Sequence, residues 1–332
     1  MRNGYPLVEL HRHLDGNVRL ETVLDLGRRH GIDLPAWTIE ELRPYVQIVG
    51  REPSLMDFIA KFEMLRRVMV DYDAVRRIVR ENLEDAVREE IDYIELRFSP
   101  AFMAEYHGLD PLGVTEAACD ALAAADDLPV KAKLIAIISR HYGPDAGWVE
   151  LEAAIRCRDR GIVALDLAGD EARFPGDLFV DHFRKAREAG LHGIAHAGEA
   201  AGAESVRQAV LGLEAERIGH GIRAIEDPAV IELLLECGIP LEVCPTSNLQ
   251  TSTVDSYESH PLPELLRQGL AVTLNTDDPS ISGIDLAHEY RIAQDELGLT
   301  EDDLRKMQEN AVAAAFLSPE ERQELLGILP PF

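Results

Sequence analysis

The stretch LVELHRHLDGN, residues 7–17, is where the fold is decided. It begins as a short apolar run suited to a buried strand and ends in His11, Arg12, His13 and Asp15. An open, doubly wound α/β sheet would normally follow its first strand with a glycine-rich phosphate loop, and HRHLDGN is not one. The parallel-strand alternative is a closed barrel, in which reactive groups collect at the C-terminal ends of the strands.

Working outward, seven further apolar runs recur: IDYIELRF (91–98), AKLIAIIS (132–139), IVALDLA (162–168), HGIAHA (192–197), RIGHG (217–221), IPLEVC (239–244) and LAVTLNT (270–276). Between them lie helix-like stretches such as DAVRRIVRENLEDAVRE, VTEAACDALAAA, LFVDHFRKAREAG, AESVRQAVLGL, PAVIELLLECG and HPLPELLRQG, several ending in glycine as helix C-termini often do. Eight strand–helix units without a Ser/Gly-rich or Pro-rich linker predict one α/β domain over residues 1–332, a (β/α)8 TIM barrel.

One crossover is too long for that pattern. Residues 16–90 predict a helical insertion between the first two strands, and within it SLMDFIAKFEML (54–65) sets Leu55, Phe58, Ile59, Phe62 and Leu65 at helical spacing. An ordinary packed helix and a lid over the barrel mouth both fit that spacing. At the other end, Ser318, Pro319 and Glu321 predict a capped extra helix, SPEERQELLGIL (318–329).

Composition limits the function. The net charge of −27, from 60 acidic and 33 basic residues, repels a polyanion, so no nucleic acid polymer is expected as a partner. MRNGYPLVEL lacks the basic start and apolar run of a secretory signal, and no apolar stretch of about 18 residues occurs, so a cytoplasmic location away from membranes is expected. Cys119, Cys157, Cys237 and Cys244 are spaced too widely for a CxxC site and are expected to be reduced and buried.

The predicted strand ends are unusually polar. His11 and His13 stand two apart, and side chains two apart on a strand share a face, so both imidazoles can converge inside the barrel. A satisfied core pair fits that spacing too. His196 and Asp277, at two other strand ends, favour a metal, because borderline ions such as zinc take imidazole with carboxylate. Glu199, three residues after His196, fits either a catalytic acid or an acid at a helix N-terminus. His220, between two glycines, fits a catalyst or a core hydrogen-bonder. Asp277 and Asp278 would point oppositely on a strand, unless the turn at Pro279 brings both inward. LDLAGDE (165–171) has no lysine to bridge two metals, which favours one ion.

Taken together, VELHRHLDGN, ELRFSP, LDLAGDE, HAGE, RIGHG, CPTSNLQTS and LNTDDP resemble, in order and over nearly the whole chain, the adenosine deaminases, especially the bacterial type. The resemblance implies one zinc ion on His11, His13, His196 and Asp277, with Glu199 the proton donor to purine N1. It implies that His220 orients or deprotonates the attacking water, that Asp278 hydrogen-bonds N7 and the attacking hydroxide, and that the Gly169 N–H donates to N3. His13 and Asp15 resemble the ribose contacts, and Phe58 and Phe62 the hydrophobic gate. The reaction implied is hydrolysis of adenosine and 2′-deoxyadenosine to inosine or deoxyinosine and ammonia, in purine salvage, with a small nucleoside and no protein partner.

Two rivals accompany that reading. A sister enzyme acting on adenine or aminodeoxyfutalosine would share the core, although TSN followed by QT (246–251) is worded like the nucleoside enzymes. A non-catalytic nucleoside-binding protein would show a broken ligand set, and this one is whole. The other zinc deaminase class needs HxE with PCxxC, and the chain has neither.

Overall fold

A computed structural model describes residues 5–327. Among them, eight strands form one parallel sheet in chain order: β1 (Val8–His13), β2 (Tyr93–Phe98), β3 (Lys131–Ser139), β4 (Ile162–Ala168), β5 (His192–Ala197), β6 (Arg217–His220), β7 (Leu241–Val243) and β8 (Val272–Leu274). The chain order leaves β1 and β8 as the two edges. They are joined just beyond the end of β8, where Arg12 and Asp277 form a parallel bridge. The Asp277 N–H donates to the His11 carbonyl at 2.9 Å, and the His13 N–H to the Asp277 carbonyl at 2.8 Å. The expected α/β barrel is therefore the observed one.

β4 and β5 match the sequence reading residue for residue, whereas β7 and β8 are much shorter than the apolar runs that carry them. The reason is chemical: the ends of those runs, Cys244 and Asn275 with Thr276, turn to loop and side-chain bonds. β1 carries a bulge. Between Glu9 and Arg12 it advances three residues while β2 advances two, from Ile94 to Leu96. The extra residue lets Glu9 and Arg12 meet, with Arg12 held further by Glu89, while His11 and His13 still reach the same point.

The insertion between β1 and β2 is helical, at Leu20–His30, Ile39–Val46, Leu55–Ile59, Phe62–Arg66 and Tyr72–Arg88. The single helix expected over 54–65 is corrected to two short ones. Around Ala60 and Lys61 the bonds tighten to three-residue spacing, Lys61 N–H to Phe58 and Met64 N–H to Lys61, which breaks the α ladder. Phe58, Phe62 and Leu65 are nevertheless buried. At the far end the predicted capping box is present, with Glu321 N–H donating to Ser318 Oγ and Ser318 N–H to Glu321. The helix runs Pro319–Gly327, and Ile328 and Leu329 of the predicted stretch lie outside the described residues.

All four cysteines are free. Cys119, Cys157 and Cys244 are buried, but Cys237, at the end of the helix Pro228–Cys237, is exposed, against expectation. Among the described residues no helix is long and apolar enough to cross a membrane.

Candidate active site

The C-terminal strand ends bring the polar residues into one buried cluster. One potential ligand atom from each of His11, His196, His220 and Asp277 lies within 4.8 Å of the others. His13 stands at the edge of this group, its Nε2 3.2 Å from His196 Nε2 and 3.3 Å from Asp277 Oδ1. The structure thus assembles all four residues expected to hold a metal, and sets His220 among them.

Each histidine is oriented from behind. His11 Nδ1 faces Glu242 Oε2 at 2.9 Å, which directs Nε2 inward, 3.2 Å from Asp277 Oδ1. His196 Nδ1 faces Asp166 at 3.1–3.2 Å. Arg97 ties the two carriers together, donating to Asp166 at 2.8 Å and to Glu242 at 2.7 Å. Arg97 with His11 and Arg217 nearby holds Glu242 well below the carboxylate range against its burial, so it remains an anionic acceptor for the ring N–H.

The fit to a cation follows from the inward atoms. His11 Nε2 is buried without a hydrogen-bond partner, and the Nε2 atoms of His13 and His196 stand 3.2 Å apart. The outer nitrogens of His11 and His196 face carboxylates, so their inner nitrogens are left bare, and a positive ion would satisfy them. Ser247 Oγ donates to Asp277 Oδ2 at 2.6 Å, leaving Oδ1 towards the histidines. Burial opposes ionisation of Asp277, but the closely placed His11 ring and the surrounding imidazoles hold its pKa well down.

Asp277 has φ of +63°, a left-handed conformation unusual for a non-glycine residue. That turn resolves the strand-alternation conflict: Asp277 and its neighbour Asp278 are both buried, the latter at the N-terminus of the short helix Pro279–Ser282. Burial and then the Asp277 charge push Asp278 well above the ordinary carboxylate value, favouring its protonated form. Its Oδ1 has no partner within the protein.

Glu199 belongs to the cluster. The helix after β5 begins only at Ala203, which disposes of the helix-terminus alternative. The carboxyl is 4% exposed, its Oε2 3.6 Å from His220 Nε2 and its Oε1 without a partner. Burial, followed by the charges of Asp277, Glu171 and Asp278, raises its pKa well above the ordinary value. Burial therefore favours its protonated form.

Glycines keep the walls close. A Cβ on Gly219 would stand 2.9 Å from His11 Cε1 and 3.2 Å from His196 Cγ. Beside the histidines a recess is lined by His13, Asp15, Phe62, Ser99, His141 and Gly169. Asp15 accepts the Ser99 N–H at 3.0 Å through Oδ2, and its Oδ1 lies 3.6 Å from His13 Nδ1. Phe62 crosses Phe102 at 6.0 Å and Phe58 at 6.1 Å between ring centroids. Phe58 is buried behind Phe62, outside the recess lining.

Sequence reading missed the supporting residues. Asp166 and Glu242 each sit inside an otherwise apolar strand, and Arg97 shares β2 with one other charge, Glu95, so a buried charge in a strand is the available signal. Glu171, in LDLAGDE, accepts three consecutive-loop N–H groups, from Gly198 at 2.6 Å, Glu199 at 3.2 Å and Ala201 at 2.8 Å. It fixes the turn that presents Glu199.

The adenosine deaminase family profile matches residues 6–329. An adenosine deaminase from Aliivibrio fischeri (strain MJ11) is 52% identical, over 97% of each chain. Among solved structures, adenine deaminase from Arthrobacter aurescens superposes with a TM-score of 0.88 at 30% identity, covering 98% of each chain. An amidohydrolase from Burkholderia ambifaria with bound Zn does so with a TM-score of 0.85 at 26% identity, covering 97% of this chain and 88% of the other.

Proposed function

The chain belongs to the adenosine deaminase family, a metal-dependent enzyme of that activity, and from this premise we propose how its residues divide the work. His11, His13, His196 and Asp277 hold one zinc ion. In support, the Nδ1 atoms of His11 and His196 face carboxylates, which leaves their Nε2 lone pairs inward, and the Burkholderia structure carries Zn. When bound, the ion would supply Lewis acidity, lowering the pKa of a water from 15.7 to about 7 in favourable sites.

The observation that carries the catalytic reading is the buried, unpartnered Glu199 carboxyl beside that cluster, whose protonated form burial favours. Water adds at C6 of the purine, and the ring electrons displaced onto N1 take the Glu199 proton. His220, 3.6 Å from Glu199, orients the attacking water, whose two protons end on the leaving amine and on Glu199. Asp278, neutral, donates to N7 and hydrogen-bonds the attacking oxygen. The amine then leaves from the tetrahedral carbon as ammonia, giving inosine, or deoxyinosine from 2′-deoxyadenosine.

Gly169 donates its N–H to N3, and His13 with Asp15 takes the ribose, since Asp15 Oδ1 is buried without a partner and lines the recess. We read residues 1–332 as one domain in which 16–90 supplies the lid, with Phe58 supporting Phe62 over the nucleoside. A small nucleoside is the ligand in this reading.

An ammonia-release assay on adenosine, deoxyadenosine, adenine, AMP and aminodeoxyfutalosine, side by side, tests the substrate assignment. Adenosine and deoxyadenosine are expected to lead. Preference for adenine, which is what the name of the Arthrobacter relative describes, would overturn the nucleoside assignment.

A further inference from the structure

His220 differs from the other imidazoles of the cluster in what stands behind it. His11 and His196 face carboxylates through Nδ1, so each keeps its proton on that outer nitrogen. His220 Nδ1 instead meets Asn248 Nδ2, at 3.1 Å. An amide nitrogen can only donate, and the orientation of that amide is fixed by a further chain of bonds.

The chain starts from an unambiguous donor. The Leu262 backbone N–H donates to His260 Nδ1 at 3.1 Å, so in a neutral ring the His260 proton must sit on Nε2. His260 is 4% exposed, and burial holds its pKa down at about 3, so the ring is neutral. Its Nε2–H then donates to Asn248 Oδ1 at 3.2 Å. With Oδ1 committed, the amide must present Nδ2 to His220 Nδ1, and the remaining His220 proton sits on Nε2, facing Glu199 and Asp277.

We infer that Asn248 and His260 are positioning residues that lock His220 as its Nε2–H tautomer. The consequence is a division of roles among similar side chains. A ring with a proton on its inward nitrogen has no lone pair for a cation, so His220 stays out of the ligand set although it lies among the ligands. It keeps a hydrogen to give to an oxygen placed beside Glu199. This rests on the role proposed above for His220 and names what fixes it.

The test uses Asn248→Asp, in which a carboxylate replaces the donating amide at the same size. His220 must then hold its proton on Nδ1, turning a bare Nε2 towards the cluster. In zinc-loaded and metal-stripped full-length protein labelled at histidine, nitrogen-detected NMR is expected to report Nε2–H for wild-type His220 and Nδ1–H for the variant. The kcat for adenosine is expected to fall about 100-fold or more, the range of a displaced acid–base group, with KM changing less than about threefold. His260→Leu, should Asn248→Asp fail to fold, frees the amide to flip and is expected to give a mixture of both tautomers. Nδ1–H in the wild type, an unchanged tautomer in the variants, or a loss confined to KM would overturn the inference. His220→Gln separates the two claims, because undiminished kcat there removes the role of His220 itself, whatever its tautomer.

Discussion

Gly16 and Asp278 compete for one space: a Cβ on Gly16 would stand 1.7 Å from Asp278 Oδ1 and 3.0 Å from a Phe62 ring carbon. The loop after β1 is therefore packed directly against the acid from beyond β8. Gly16→Ala should push Asp278 out of line, and displacement of a reacting group by about 1 Å costs on the order of 100-fold in rate. Steady-state kinetics on adenosine checks this, with circular dichroism showing the fold retained. A variant of wild-type kcat/KM would remove Asp278 from the reaction.

Glu199→Gln keeps the shape and loses the transferable proton. The kcat should fall by about 100- to 10,000-fold, the usual weight of a general acid, with metal content by elemental analysis unchanged. His11→Ala should do the opposite and lose metal together with activity, because its Nε2 is one of the inward atoms. Undiminished turnover in the first variant, or full metal occupancy in the second, would sink the role assigned to that residue.

Glu171→Ala strips the acceptor from the N–H groups of Gly198, Glu199 and Ala201. A buried donor left without a partner costs about 1–3 kcal/mol, so a loss of stability of that order is expected in denaturant titration. The turn carrying Glu199 should loosen with it, reducing kcat without releasing metal. Loss of stability with kcat untouched would make Glu171 structural only.

Glu150 gives a pH dependence whose sign can be worked out. It is fully buried and takes the Ser99 hydroxyl at 2.6 Å and the Ser139 N–H at 3.0 Å, with burial lifting its pKa to about 7. A folded pKa above the unfolded one leaves no penalty below the unfolded value near 4.5, and a penalty that grows as pH rises to about 7 and then stays. Glu150→Gln removes the ionisation, though it keeps one accepting oxygen for the N–H groups of Ser139 and Ala101, so relative to the wild type it should gain up to about 3 kcal/mol more stability at about pH 8 than at about pH 4. Equal gains at both pH values would refute the titration argument.

How much of this was legible in the sequence depends on periodicity. The strands could be counted because each buried run is short and bounded, and His11 with His13 could be paired because strand spacing puts them on one face even across the bulge. The meeting of Asp277 with Asp278 could not be read from spacing, since it needs a left-handed backbone at a residue that rarely adopts one. Nor could the partners of the histidines. Asp166 meets His196 only because β4 and β5 pair in this register, and Glu242 meets His11 only because barrel closure brings β7 near β1. The two-helix form of residues 55–66 was hidden for the converse reason, because a tightened turn preserves the apolar spacing of a continuous helix.

The seam between β1 and β8 has a consequence for how the molecule comes into being. The last residue of the metal cluster, Asp277, is also the residue whose backbone clasps β1, so the ring and the site are completed by one event. During synthesis His11 emerges early and waits for nearly the whole chain before Asp277 can reach it. Contacts so far apart in sequence form slowly. A ribosome-bound chain that stops short of residue 277 thus has neither a closed barrel nor a ligand set, and catalytic competence is a report that translation has passed that point.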